Sequence, residues 1–137
     1  MEIKIILNIL KVQSVIVKKF DGLSLHGIGL TDYMVLHILN NVPGNRLKRI
    51  DLAESIGLTA SGITRIISPM EKIGLVVKES NDRDARISYV KLTDTGEQVY
   101  KEATVTAGYI SKNLLDGITT NELKAFSSQL KILGGDI

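Results

Sequence analysis

Between Leu47 and Leu92 the hydrophobic period changes from helical to extended, and this order of elements restricts the fold more than any other feature of the sequence. Leu47, Ile50, Leu52, Ala53 and Ile56 have the spacing of a short helix, predicted over Leu47–Ile56. Gly57 follows, where a left-handed C-cap carries no Cβ penalty. Thr59 has the hydroxyl side chain that caps a second helix, predicted to run to about Ile73 and to stop at Gly74. Two helices joined by a tight glycine-containing turn make a helix-turn-helix. The next runs, Leu75–Glu79 and Ile87–Leu92, are β-rich and flank a polar tip, Ser80–Arg86. A β-hairpin directly after a helix-turn-helix is a wing.

The second helix has two unlike faces. Ser61, Thr64, Arg65 and Ser68 fall at i, i+3, i+4 and i+7, and Ile63, Ile66, Ile67 and Met70 form the opposite stripe. An ordinary solvated face carries mostly Lys and Glu, which favour helix and solubility. Here Lys72 and Glu71 stand only at the C-terminal end. Small residues (Ala60 and Gly62 among them), hydroxyls with Thr59 at the head, and one arginine instead suit entry into the major groove of DNA. Hydroxyls bond phosphates or base edges there, and arginine grips guanine O6 and N7. Pro69 removes a backbone donor and leaves the Arg65 carbonyl without its helical partner, so a local bend is expected. At the wing tip, Arg83 and Arg86 alternate with Asp82 and Asp84. A carboxylate that holds a guanidinium, Asp84 on Arg86, would present a fixed cation to a narrow minor groove. The competing reading is an exposed salt bridge that only steadies the turn, worth about 0–1 kcal/mol.

Around this middle lie helices that do not bury themselves. Residues 2–20 carry Ile5, Ile9, Val12, Ile16 and Phe20 on one stripe and Ile3, Ile6, Leu10 and Val17 on another. A helix apolar on more than one side must be covered on more than one side, which in so short a chain calls for a second subunit. Gly22, Gly27 and Gly29 interrupt it. Thr31 is then expected to cap a helix Asp32–Asn41, ended by Pro43-Gly44. After the wing, Thr93 opens a helix to about Asn113, and Thr119 with Glu122 has capping-box spacing for a last helix to about Leu133. The expected organisation is an N-terminal dimerisation helix and connector (1–30), a winged helix-turn-helix DNA-binding lobe (31–92), and C-terminal helices completing the dimerisation region (93–137). The fold class is mainly α with a β-hairpin wing.

The composition of the 137 residues narrows the chemistry further. The absence of cysteine excludes disulfides, thiolate metal sites and thiol nucleophiles. Two histidines, His26 and His37, are a small stock for a metal site, and none is expected. No apolar run reaches the roughly 20 residues of a membrane-spanning helix. The N-terminal stretch lacks a cleavage site and is broken by polar residues, so a cytoplasmic location is expected. Nine Lys/Arg against six Asp/Glu lie between Arg46 and Lys91, an excess of +3 in a chain whose net charge is +2. That weakly favours a polyanion partner. Catalysis is not expected: Ser61, Asp84 and His37 do not sit on a nucleophile elbow, and no phosphate-binding glycine loop follows a strand. The remaining rival is a winged helix that docks proteins, for which Arg65 and Arg86 would be dispensable in DNA affinity.

The sequence resembles the multiple antibiotic resistance regulator (MarR) family of bacterial and archaeal winged-helix repressors. The resemblance is carried by Asp51-Leu52-Ala53, Gly57-Leu58-Thr59, Thr64-Arg65 and Met70-Glu71-Lys72-Ile73-Gly74-Leu75-Val76. It continues through Asp84-Ala85-Arg86-Ile87-Ser88-Tyr89-Val90-Lys91-Leu92-Thr93-Asp94-Thr95-Gly96, which fits the wing pattern D-x-R-x-x-x-V-x-L-T-x-x-G at every fixed position. It implies a homodimer whose terminal helices interlock, reading a pseudo-palindrome in double-stranded DNA as a repressor. It places Ser61, Thr64, Arg65 and Ser68 on the recognition helix and Arg86, supported by Asp84, on the wing. It also implies a small aromatic effector bound between the dimerisation helices and the winged lobe, near His26, Tyr33 and His37. The N-terminal helix is short for the family, which implies a less extensive pairing of subunits.

Overall fold

A computed structural model describes all residues, 1–137. Helix α1 (Glu2–Lys19) leads through a 3-10 segment, Phe20–His26, to α2 (Leu30–Asn40). Strand β1 (Arg46–Lys48) passes directly into α3 (Arg49–Ile56), and α4 (Ala60–Lys72) follows across the Gly57 turn. The wing is β2 (Val76–Ser80) and β3 (Ser88–Leu92); α5 (Asp94–Leu114) and α6 (Thr120–Ile132) complete the chain.

The core forms where α2, α3 and α4 meet the sheet. Leu36 and Leu39 of α2, Leu52 of α3, Ile63 and Ile67 of α4 and Val90 of β3 are completely buried. Each such side chain contributes about 1.5–3 kcal/mol by leaving water. On α4 the buried set is Ile63, Ile67 and Met70, with Ile66 partly buried beside it, so the apolar stripe read from the sequence is the packed one. Helix α4 continues through Pro69 to Lys72 with no break at the proline.

The helix expected from Leu47 is corrected. Arg46–Lys48 is a third, edge strand, giving a sheet of order β1-β3-β2 with Leu47 opposite Val90. Cross-strand contacts outweigh the helical period there: Arg46 lies 4.8 Å over the Tyr89 ring and 3.0 Å from Glu79 of β2. Lys91 approaches the same carboxylate at 3.8 Å. Ile50, counted as an apolar helix position, is 70% exposed, and the buried residues of α3 are Leu52 and Ala53. The N-terminus of α2 is also corrected. Gly29, not Thr31, precedes the first turn, and its N–H donates to Asp32 Oδ2 at 2.8 Å. The Asp32 carboxylate, three residues into the helix, takes the Gly29 N–H, the half of a capping box that needs no hydroxyl at the N-cap.

The Leu-Thr-x-x-Gly stretch after the wing has a physical reason. The Thr93 hydroxyl accepts from Gly96 N at 3.0 Å and caps α5, and it also reaches the Gly74 and Leu75 carbonyls. Leu92 is buried, and Gly96 packs so closely on the Leu75 carbonyl that a Cβ has no room. One residue set therefore closes the winged lobe and launches α5. That helix buries Tyr100, Ala103 and Ala107 and packs along the 3-10 segment. Neither α1 nor α6 buries any residue.

Candidate nucleic-acid interface

The turn between α3 and α4 is built as its residues require. Gly57 adopts φ +79°, the left-handed C-cap. Thr59 Oγ1 accepts from Gly62 N at 3.1 Å and lies 3.2 Å from Ser61 Oγ. Thr59 is thus the N-cap of α4. A Cβ on Gly62 would stand 3.2 Å from that hydroxyl, so the small residue keeps the cap compact.

Ser61, Thr64, Arg65 and Ser68 are all exposed, on the side of α4 away from Ile63, Ile67 and Met70. The structure thus brings the hydroxyl-and-arginine stripe together on an open face. Thr64 differs from its neighbours. Its hydroxyl donates to the Ala60 carbonyl at 3.0 Å and accepts from Arg49 Nη2 at 2.8 Å. Arg49 was not singled out in the sequence; its one legible signal was its place in the basic run Arg46-Leu47-Lys48-Arg49.

The wing tip is an ordered turn. Asn81 Oδ1 accepts from the backbone N–H of Arg83 at 2.8 Å and of Asp84 at 3.1 Å. Asp84 then takes the Arg86 guanidinium on both oxygens, Nε to Oδ1 and Nη2 to Oδ2, each at 3.1 Å. It also accepts from Arg86 N at 3.0 Å. The pairing expected between Asp84 and Arg86 is present and is bidentate, and Asn81 is the further residue that shapes the turn. The Arg86 side chain, and then its backbone N–H, hold the Asp84 carboxyl below its ordinary pKa of 3.8. A depressed carboxylate keeps its contribution above its ordinary pKa and loses it as pH falls through the lowered value. The clamp is therefore intact at neutral pH. Arg83 is exposed, and its side chain makes no hydrogen bond or ion pair.

Between α4 and the wing runs a groove of about 390 Å³ lined by Lys48, Arg49, Ile50, Ala60, Ile63, Arg86, Ile87 and Ser88. Three of its residues are cationic and none is acidic. Ser88 Oγ is the one buried side-chain polar atom without a hydrogen-bond partner.

A second cleft, about 350 Å³, lies between α2 and α5 and is lined by Phe20, Leu30, Tyr33, Met34, His37, Thr104 and Ala107 among others. Tyr33 and His37 are brought together there, and His26 is not among its lining residues. His26 Nε2 instead lies 2.7 Å from Thr106 Oγ1 and ties the 3-10 segment to α5. His37 Nδ1 lies 2.7 Å from Tyr100 Oη, and Tyr33 Oη 3.0 Å from Thr104 Oγ1. The Tyr33 and Tyr100 rings stack with centroids 5.5 Å apart. Burial raises the Tyr33 phenol pKa, with Thr104 opposing and Tyr100 adding to the rise. No cluster of three or more His, Asp or Glu is placed to hold a metal ion. No helix is long and apolar enough to cross a membrane.

These features have relatives. A MarR family model matches residues 26–87, from the end of the 3-10 segment to the far side of the wing tip. The fold extends the likeness to almost the whole chain. The MarR family regulator Sco3205 of Streptomyces coelicolor, solved in complex with DNA, superposes with a TM-score of 0.85 at 21% identity. The match covers 95% of this chain and 83% of that one. BldR of Sulfolobus solfataricus, a transcriptional regulator, matches at 0.84 and 24% identity over 97% of this chain and 94% of its own. The organohalide-sensing regulator RdhR, in its 2,4-dichlorophenol-bound form, matches at 0.84 and 23% over 96% and 78%. The chain thus matches the MarR family in sequence over residues 26–87, and its fold is that of the family's transcriptional regulators.

Proposed function

We propose that the chain is a MarR family transcriptional regulator that acts as a homodimeric, sequence-specific repressor on double-stranded DNA. The observation that carries this reading is the exposed stripe of α4, Ser61, Thr64, Arg65 and Ser68, backed by fully buried Ile63 and Ile67. A rigidly seated helix with small polar residues outward is what a major groove admits. The wing supports it with Arg86, preset by Asp84 for a minor groove.

Dimerisation is supported by α1. Ile3, Ile5, Ile6, Leu7, Leu10, Val12 and Val17 are each about half exposed or more on a helix that buries nothing. So large an apolar surface marks an interface, and covering it with a second copy would set two recognition helices on successive turns of DNA. The cleft of Tyr33 and His37, with its apolar and aromatic lining, suits a small aromatic effector, as RdhR is solved with a dichlorophenol.

Selection from random duplexes tests the reading. The wild-type protein is expected to enrich a pseudo-palindrome whose half-sites lie about one helical turn apart. Arg65→Ala should cost about 1–3 kcal/mol on that duplex and relax the preference at one base pair in each half-site, as loss of a guanine contact does. Arg86→Ala should weaken binding most when the flanks are A·T-rich, measured by anisotropy on duplexes differing only there. An unchanged flank preference removes Arg86 from the minor groove. Recovery of no common sequence by the wild type contradicts sequence-specific binding and favours protein docking.

A further inference from the structure

We propose that Arg49 takes a backbone phosphate of the DNA and that Thr64 seats Arg49 rather than reading a base. The inference rests on the DNA-binding reading above and assigns a role within that interface.

A threonine hydroxyl has one hydrogen to donate and two lone pairs to accept with. In Thr64 the hydrogen goes to the Ala60 carbonyl at 3.0 Å, and one lone pair takes Arg49 Nη2 at 2.8 Å. Little capacity is left for a base edge. Arg49 is the complementary case. Of its five N–H donors one bonds Thr64, and neither another hydrogen bond nor a carboxylate engages the guanidinium. It is held in place with most of its donors free.

Its surroundings select the ligand. The groove Arg49 lines also contains Lys48 and Arg86 and has no acidic residue. Arg49 is the first residue of α3, the leading helix of the helix-turn-helix, and that helix crosses the sugar-phosphate backbone when its successor enters the groove. A fixed guanidinium at that point meets a phosphate, for which its planar fork is matched. Thr64, on α4, couples the phosphate contact to the depth of the recognition helix.

The test uses full-length wild type, Arg49→Gln, Thr64→Val, Thr64→Ser and the Arg49→Gln/Thr64→Val double variant. Each is titrated with the duplex enriched by the wild type and with a scrambled duplex over a range of salt. Arg49→Gln is expected to weaken both duplexes by a similar factor, about tenfold, and to lower the salt slope by about one. Thr64→Val keeps the shape without the hydroxyl. It should weaken both duplexes about threefold with no change of base preference. It should add nothing in the Arg49→Gln background, and Thr64→Ser should behave as wild type. An equal effect of Thr64→Val with and without Arg49, an altered base preference, or an unchanged salt slope in Arg49→Gln overturns the assignment. In each of those results the wild type still binds specifically. Wild-type protein with no affinity for any duplex overturns the DNA reading itself and this role with it.

Discussion

Replacing Gly96 with alanine is expected to lower the melting temperature by roughly 10 °C, because no other glycine of the chain leaves so little room for a Cβ. The new Cβ would fall on the Leu75 carbonyl oxygen and stand 2.8 Å from Leu92 Cδ1. Neither can yield easily. The Leu75 carbonyl accepts from Thr93 N at 3.2 Å, and Leu92 is buried in the core. Overpacking of this kind costs about 3 kcal/mol when backbone must shift, and a domain of this size loses about 3–4 °C for each kcal/mol. Gly108→Ala is the control in the same helix. Nothing lies within 4 Å of its added Cβ, so it should gain about 0.5–1 kcal/mol from helix propensity. Thermal melts followed by circular dichroism check both. A Gly96→Ala midpoint within 2 °C of wild type, on the order of the control's change, would mean that α5 is not anchored where described.

The second large effect concerns α1. Substituting Ile6 and Leu10 together with glutamine should convert the proposed dimer to a monomer in sedimentation equilibrium. Both side chains are about half exposed in the single chain, 48% and 54%, and stand one turn apart on one side of the helix. Glutamine preserves helix propensity and net charge, so the change isolates apolar burial. Four buried side chains are lost per dimer, each worth about 2 kcal/mol. Specific affinity should fall by about 100-fold or more as the two half-sites cease to be held by one molecule. A wild-type chain that sediments at 15.0 kDa contradicts the dimer directly.

The sequence made some parts of this molecule legible and hid others for identifiable reasons. Helix α4 was readable because its period, its Thr59 cap and its Gly57 turn all agree, and Ile63, Ile67 and Met70 are buried as that pattern requires. The capping box of α6 was equally plain, with Thr119 N donating to Glu122 Oε2 at 2.8 Å. Strand β1 was not. Three residues carry no period of their own, and Arg46–Lys48 is extended because β3 lies beside it, a contact some 43 residues away that no local pattern records. The start of α2 was misplaced because Asp32 can cap through its side chain from inside the helix, so Thr31 attracted a role it does not have.

The site divides in the same way. The exposed stripe of α4 and the Asp84–Arg86 pair follow from spacing, since both are local. The Arg49–Thr64 contact joins two helices across the turn and required coordinates to see. His26 was grouped with Tyr33 and His37 because the family resemblance implies an effector pocket near all three. The 3-10 segment instead turns His26 to Thr106, whereas α2 carries Tyr33 and His37 to the cleft.

The most direct test of the central claim is the binding of purified wild-type protein to its own upstream DNA. Fluorescence anisotropy at several salt concentrations, against a scrambled duplex of equal length, gives both terms at once. A tighter complex with the upstream duplex is expected, its affinity falling steeply with salt and the slope counting the phosphates neutralised. Equal, weak binding to both duplexes, together with no sequence recovered from random DNA, would contradict the claim.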